Sequence, residues 1–125
     1  MLSVPGRVKI FLCRTPTDMR KSFDSLAALV SDLLRQDPLS GHLFVFRSKR
    51  GDRVKLLYWD DDGYALWYKR LEAGTFRFPA VPGDTADDVA SVTLSATDLA
   101  LLLGGVDLNS VRRTKRYRRT ADIAN

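Results

Sequence analysis

With one cysteine, Cys13, the 125-residue chain cannot close an internal disulfide, and with a single histidine, His42, beside it no Cys/His zinc cage can form. Both shortages fit a reducing, cytoplasmic setting, with association to the nucleoid compatible with them. Long apolar runs are missing as well. The longest nearly apolar stretch, residues 96–106, contains Asp98 and falls far short of the roughly 20 residues that a membrane-crossing helix requires. Residues 1–10 carry Arg7 and Lys9 but no apolar core followed by a small-residue cleavage site, so no secretory signal is expected. Internal repeats are absent too. What is present, 45% hydrophobic and 28% charged residues, is the composition of one globular domain. Cys13 then reads as a small apolar residue packed in a strand.

The net charge of +5 is spread unevenly. Residues 109–125 hold six cations, Arg112, Arg113, Lys115, Arg116, Arg118 and Arg119, against one anion, Asp122. Taking these from totals of 20 basic and 15 acidic residues leaves 14 of each in residues 1–108. The expected organisation is therefore a neutral folded body, residues 1–108, followed by a basic, flexible or conditionally helical arm, residues 109–125, aimed at a polyanion. Tyr117, in the midst of the arm, can stack on a base.

Periodicity divides the body into elements. Residues 8–13 read as a strand, and Thr17 or Asp18 as a cap for the helix after it. From 21 to 35 the apolar residues Phe23, Leu26, Ala27, Leu29, Val30, Leu33 and Leu34 recur at helical spacing, and Asp37-Pro38 stops the helix. Residues 43–47, 53–59 and 64–70 read as strands joined by short turns, with 75–78 as a further short edge strand. Asp60-Asp61-Asp62-Gly63 is the strongest hairpin signal among them. Residues 80–90 read as an acidic loop, 91–94 as a short strand, and 96–103 as a helix capped by Ser95 and Asp98 and ended by Gly104-Gly105. The expected fold is α+β: a three- to four-stranded antiparallel sheet covered by the helix over 21–35, with a smaller helix over 96–103 nearby.

Several of these segments carry a resemblance in the order and spacing of their motifs. They are Asp18-Met19-Arg20-Lys21, Leu26-Ala27-Ala28-Leu29 and the run from Asp37-Pro38-Leu39-Ser40-Gly41-His42 into Leu43-Phe44-Val45-Phe46. They continue with R-V-K-L-L-Y-W-D over 53–60, Gly63, Trp67-Tyr68-Lys69-Arg70-Leu71-Glu72, Gly74-Thr75-Phe76-Arg77-Phe78-Pro79 and L-L-L-G-G-V-D over 101–107. Together they resemble the TnpB accessory protein, or second open reading frame, of the IS 66 group of insertion sequences. That family is unrelated to the RNA-guided nuclease sharing the TnpB name. The resemblance implies a helper of transposition, encoded beside a DDE-type transposase, with no assigned catalytic residues. Over residues 109–125 the likeness extends only to basic character.

The residues themselves offer three candidate constellations. Asp60, Asp61 and Asp62 suggest a metal-bound nuclease site, but adjacent carboxylates on a tight turn diverge, and Lys55 is preceded by Arg53 where such a nuclease carries a carboxylate. His42, without a cysteine or activated serine beside it, reads as a loop histidine satisfied by backbone. More promising are the aromatics interleaved with cations across 44–78, since aromatic faces beside positive charges stack bases and hold phosphates. Alternation puts Arg53, Lys55, Leu57 and Trp59 on one face of their strand, making that face the candidate platform. The candidate nucleic-acid contacts are Arg47, Lys49, Arg50, Arg53, Lys55, Trp59, Lys69 and Arg70 in the body, with Arg112, Arg113, Lys115, Arg116, Tyr117, Arg118 and Arg119 in the arm. No metal or other cofactor is expected. The expected role is non-catalytic: binding of element DNA, of the transposase, or of both, with a pure protein adaptor and a metal-dependent nuclease as the alternatives.

Overall fold

A computed structural model describes residues 5–79 and 89–104. The chain runs β1 (Ile10–Cys13), α1 (Phe23–Asp32), β2 (Leu43–Arg47), β3 (Arg53–Asp60), β4 (Gly63–Arg70), β5 (Ser91–Leu94) and α2 (Ala96–Leu103). The strands form one five-stranded sheet in the order β4-β3-β2-β1-β5. The arm over 109–125, with its seven candidate contacts, lies outside the described residues, as does most of the acidic loop.

The sheet is mixed rather than antiparallel. β2, β3 and β4 make the expected meander, paired Phe44 to Leu57 and Leu57 to Leu66. β1, however, inserts beside β2 and runs parallel to it, pairing Phe11 with Phe44, while β5 pairs antiparallel on its other side. Two adjacent parallel strands need a long crossover, and α1 with its flanking loops supplies it. The sequence carries the physical cause. I-F-L-C in β1 and L-F-V-F in β2 are buried at every position, the mark of strands covered on both faces.

Accordingly the sheet has two covers. On one face Leu26, Ala27, Val30 and Leu34 pack onto Phe11, Cys13, Phe44, Phe46 and Leu57. On the other, Leu99, Leu102 and Leu103 of α2 pack with Ile10, Leu12, Leu43, Val45, Val54, Leu56 and Leu94. Cys13 is a free, fully buried thiol of the first layer, as its strand setting suggests.

Several expected boundaries move: β1 begins at Ile10 rather than at residue 8, and β3 and β4 each gain a residue at their shared turn. Residues 75–78 form no strand; the Phe76 N–H donates to the Gly51 carbonyl at 2.7 Å and its ring is buried in the α2 layer. α1 starts at Phe23 because Ser22 caps it, its N–H donating to Ser25 Oγ at 2.9 Å, while Thr17 and Asp18 are engaged elsewhere. It ends before Pro38 takes effect: Arg35 turns left-handed with φ +56°, and the Gln36 N–H returns to the Val30 carbonyl. α2 matches its expected bounds. Asp98 N–H donates to Ser95 Oγ at 3.0 Å, completing the carboxylate capping box.

Candidate nucleic-acid interface

The strands of the meander end in chemically opposite turns. β3 begins at Arg53, beside a turn carrying Lys49 and Arg50, and ends at the turn formed by Asp60, Asp61 and Asp62. The basic turn is held rigid by its own serine. Ser48 is buried, and its Oγ accepts from the N–H groups of Gly51 (3.2 Å) and Arg53 (3.1 Å) while donating to Asp52 Oδ1 (3.2 Å). Gly51, at φ +80°, makes the reversal that a side chain would strain. The chain after β4 wraps this turn, with the Leu71 N–H on the Asp52 carbonyl and the Phe76 N–H on that of Gly51. Lys49 and Arg50 are therefore exposed on a braced loop.

Facing the turn is the segment that leads into α1. The Thr17 N–H donates to the Arg47 carbonyl at 2.8 Å, joining this segment to the end of β2. Lys55, from the middle of β3, reaches under it: its ammonium donates to the carbonyls of Met19 (2.8 Å) and Lys21 (2.6 Å) and lies 4.6 Å from the Tyr68 ring centroid. Between the two walls runs an open groove of about 340 Å³ lined by Thr17, Asp18, Met19, Arg20 and by Ser48, Lys49, Arg50, Asp52 and Arg53.

Four cations and two carboxylates share this groove. Arg20 projects into solvent and pairs with Asp18 at 2.7 Å, its side chain donating to both carboxylate oxygens. Those bonds, with a further one from the Arg20 backbone N–H, hold the Asp18 carboxyl at about 2 against an ordinary 3.8. Any stabilisation from the pair is thus complete above the ordinary value and disappears only as pH falls through about 2, so the pair persists at neutrality. Being exposed to solvent, it remains open to exchange with an external anion.

The structure sorts the sequence-based candidates. Lys49, Arg50 and Arg53 come together at the groove, whereas Arg70, directly opposite Arg53 across the ladder, is not among the residues that line it. Lys69 and Arg70 are exposed on the edge strand, Arg70 bonded to Glu72 at 3.1 Å. Arg47 is occupied structurally, donating to the Arg14 carbonyl at 2.7 Å and lying 5.4 Å from the centroid of the Phe78 ring. Lys55 is only 6% exposed, because the face it shares with Leu57 is the one that α1 covers; it holds backbone rather than offering a platform. Trp59 lies at the acidic end, packed edge-on against Tyr64 at 5.2 Å. Phe44, Phe46 and Phe76 are core. Arg20 is the groove residue missing from the sequence-based set. Its neighbours Asp18 and Lys21 suggest local pairing, and the Thr17–Arg47 and Lys55 bonds carry it to the basic turn.

The other constellations resolve simply. Asp60, Asp61 and Asp62 are all exposed on their turn, Asp61 at φ +54°. No group of three or more His, Cys, Asp or Glu residues suited to a metal ion occurs among the described residues. His42 Nδ1 accepts from the Lys9 N–H at 3.0 Å, and its ring meets the Phe11 ring at 5.9 Å. No helix among the described residues is long and apolar enough to cross a membrane.

Comparison with known proteins gives consistent results. A profile of the family described as "IS66 Orf2 like protein" matches residues 8–113. The uncharacterized protein y4jC of Sinorhizobium fredii is 37% identical over 121 residues, covering 96% of this chain and 97% of that one. The uncharacterized protein y4hO of the same organism is 35% identical over 116 residues, covering 93% and 96% respectively. No solved structure matches the chain.

Proposed function

This chain belongs to the IS66 Orf2-like family of insertion-sequence proteins, and from that premise we propose that it is a non-catalytic transposition factor that binds element DNA through the groove between residues 17–20 and 48–53. One observation carries the reading: Arg20, Lys49, Arg50 and Arg53 gather around one braced groove, while the carboxylate turn of the same strand pair lies at the far end. Such segregation orients a neutral body on a polyanion, the basic end inward and the acidic end away.

The groove contains no aromatic side chain. It is suited to phosphates rather than to stacked bases, so its contacts position the protein without reading sequence. The arm over 109–125 adds six cations and supplies further affinity. Each phosphate neutralised contributes about 0.9 to the slope of log affinity against log salt. A footprint using the four groove cations gives a slope near about −3.6, and the arm steepens it toward about −9.

The test is a salt series of anisotropy titrations on duplexes carrying an element end. Replacing Lys49, Arg50 and Arg53 together by glutamate is expected to weaken binding roughly 100-fold and to flatten the slope by about 3. Asp18→Asn, which removes a carboxylate from the groove and frees Arg20, is expected to tighten it. Binding that is absent or insensitive to salt overturns the DNA reading and favours an adaptor that contacts only the transposase. Cleavage of the duplex in magnesium or manganese, lost on replacing Asp60 to Asp62, overturns the non-catalytic reading.

A further inference from the structure

Among the described residues β4 forms one edge of the sheet and, with β3, is its longest strand at eight residues. An edge of this length presents a row of backbone donors and acceptors that can template another strand. Its side chains follow a gradient. The strand opens beside the Asp60, Asp61, Asp62 turn, continues through half-buried Tyr64, Ala65, Leu66 and Trp67, then exposed Tyr68, and closes on exposed Lys69 and Arg70.

A gradient from acid through apolar to base is self-complementary in one direction only. A second copy laid parallel sets carboxylates beside carboxylates and cations beside cations. Laid antiparallel about a two-fold axis, it sets acid against base at both ends, with the apolar residues meeting in the middle. With the axis at Leu66, Asp62 lies opposite the second copy's Arg70 and Gly63 opposite the second copy's Lys69. Arg70 is also free to exchange its present partner for another. It sits across the ladder from Arg53, a like charge, and its bond to Glu72 joins two largely exposed side chains.

We propose that β4 is a homodimer edge at which two copies pair antiparallel, extending the five-stranded sheet into a ten-stranded one. The two basic grooves then lie toward opposite ends of the joint, so that one dimer presents two basic sites related by a two-fold axis. The inference stands apart from the DNA reading, since it concerns association of the protein with itself in the absence of nucleic acid.

The test uses the full chain at low salt and high micromolar concentration in sedimentation equilibrium. The expected mass is twice the chain mass of 14.1 kDa. Asp62→Lys alone and Arg70→Asp alone are each expected to give monomer, and an equimolar mixture of the two to restore dimer, because each reversed charge then faces its opposite. Wild-type protein also provides a readout without substitution. Amide exchange over 63–70 is expected to slow as concentration rises, while exchange over 91–94 stays unchanged. A monomeric wild type, a dimer that survives both single variants, or concentration-independent exchange along β4 overturns the proposal.

Discussion

Phe44→Ala is expected to lower the unfolding free energy by about 3–5 kcal/mol. Phe44 is fully buried in β2, the middle strand of the sheet, with β1 and β3 paired on either side. Its ring stacks on Phe11 at 5.6 Å with the planes 14° apart, and it packs in the layer that holds Leu26, Val30 and Leu57. Neighbours on a central strand are fixed by two ladders and cannot collapse into the space left behind. The loss therefore includes a cavity as well as the transfer of the ring to water. Urea denaturation measures it. Phe23→Ala, at a position 44% exposed at the start of α1, is the control and should cost no more than about 1 kcal/mol. Equal losses at the two positions sink the assignment of β2 as the core of the sheet.

The second large effect concerns a charge inside the fold. Lys55→Met is expected to cost about 1–3 kcal/mol, because the partly buried carbonyls of Met19 and Lys21 lose their shared donor. Lys55→Ala should cost more, since the aliphatic stem is lost as well. Lys69→Ala, at an exposed position on β4, should change stability by no more than about 0.5 kcal/mol. The effect on function separates anchoring from direct phosphate contact. Lys55→Met frees the segment that carries Arg20, so DNA affinity should fall several-fold while the salt slope drops by only the single contact made by Arg20. A loss of stability without any change in DNA binding shows that this segment takes no part in the interface. A stability change below about 0.5 kcal/mol contradicts the buried ammonium itself.

These two residues also show what a sequence can and cannot convey. β2 is legible from L-F-V-F alone, and its run of buried residues already carries the information that both faces are covered. That the partner on one side is β1, running parallel, is not legible, because strand pairing across a helical crossover leaves no local periodicity. Lys55 is misleading for a related reason. Alternation correctly groups Arg53, Lys55, Leu57 and Trp59 on one face, but the same pattern describes a solvent-facing platform and a face beneath a helix. The groove was half visible: Lys49, Arg50 and Arg53 are neighbours in sequence, whereas Arg20 reaches them only through contacts between distant segments.

The sequence by itself determined the elements with strong local chemistry: the β2–β3–β4 meander, the aspartate hairpin, the capped helix Ala96–Leu103, and family membership through ordered motifs. It also set the charge balance, a neutral body with six cations in the arm. Turns, caps and composition act over a few residues, so they can be read directly. The tertiary structure alone decided that β1 enters the sheet between β2 and β5, that α1 and α2 cover opposite faces, and that Lys55 serves as an anchor while Arg20 joins the basic turn. Each of these results from apolar surfaces burying one another across long stretches of chain, and that burial is specified only when all the elements are present together.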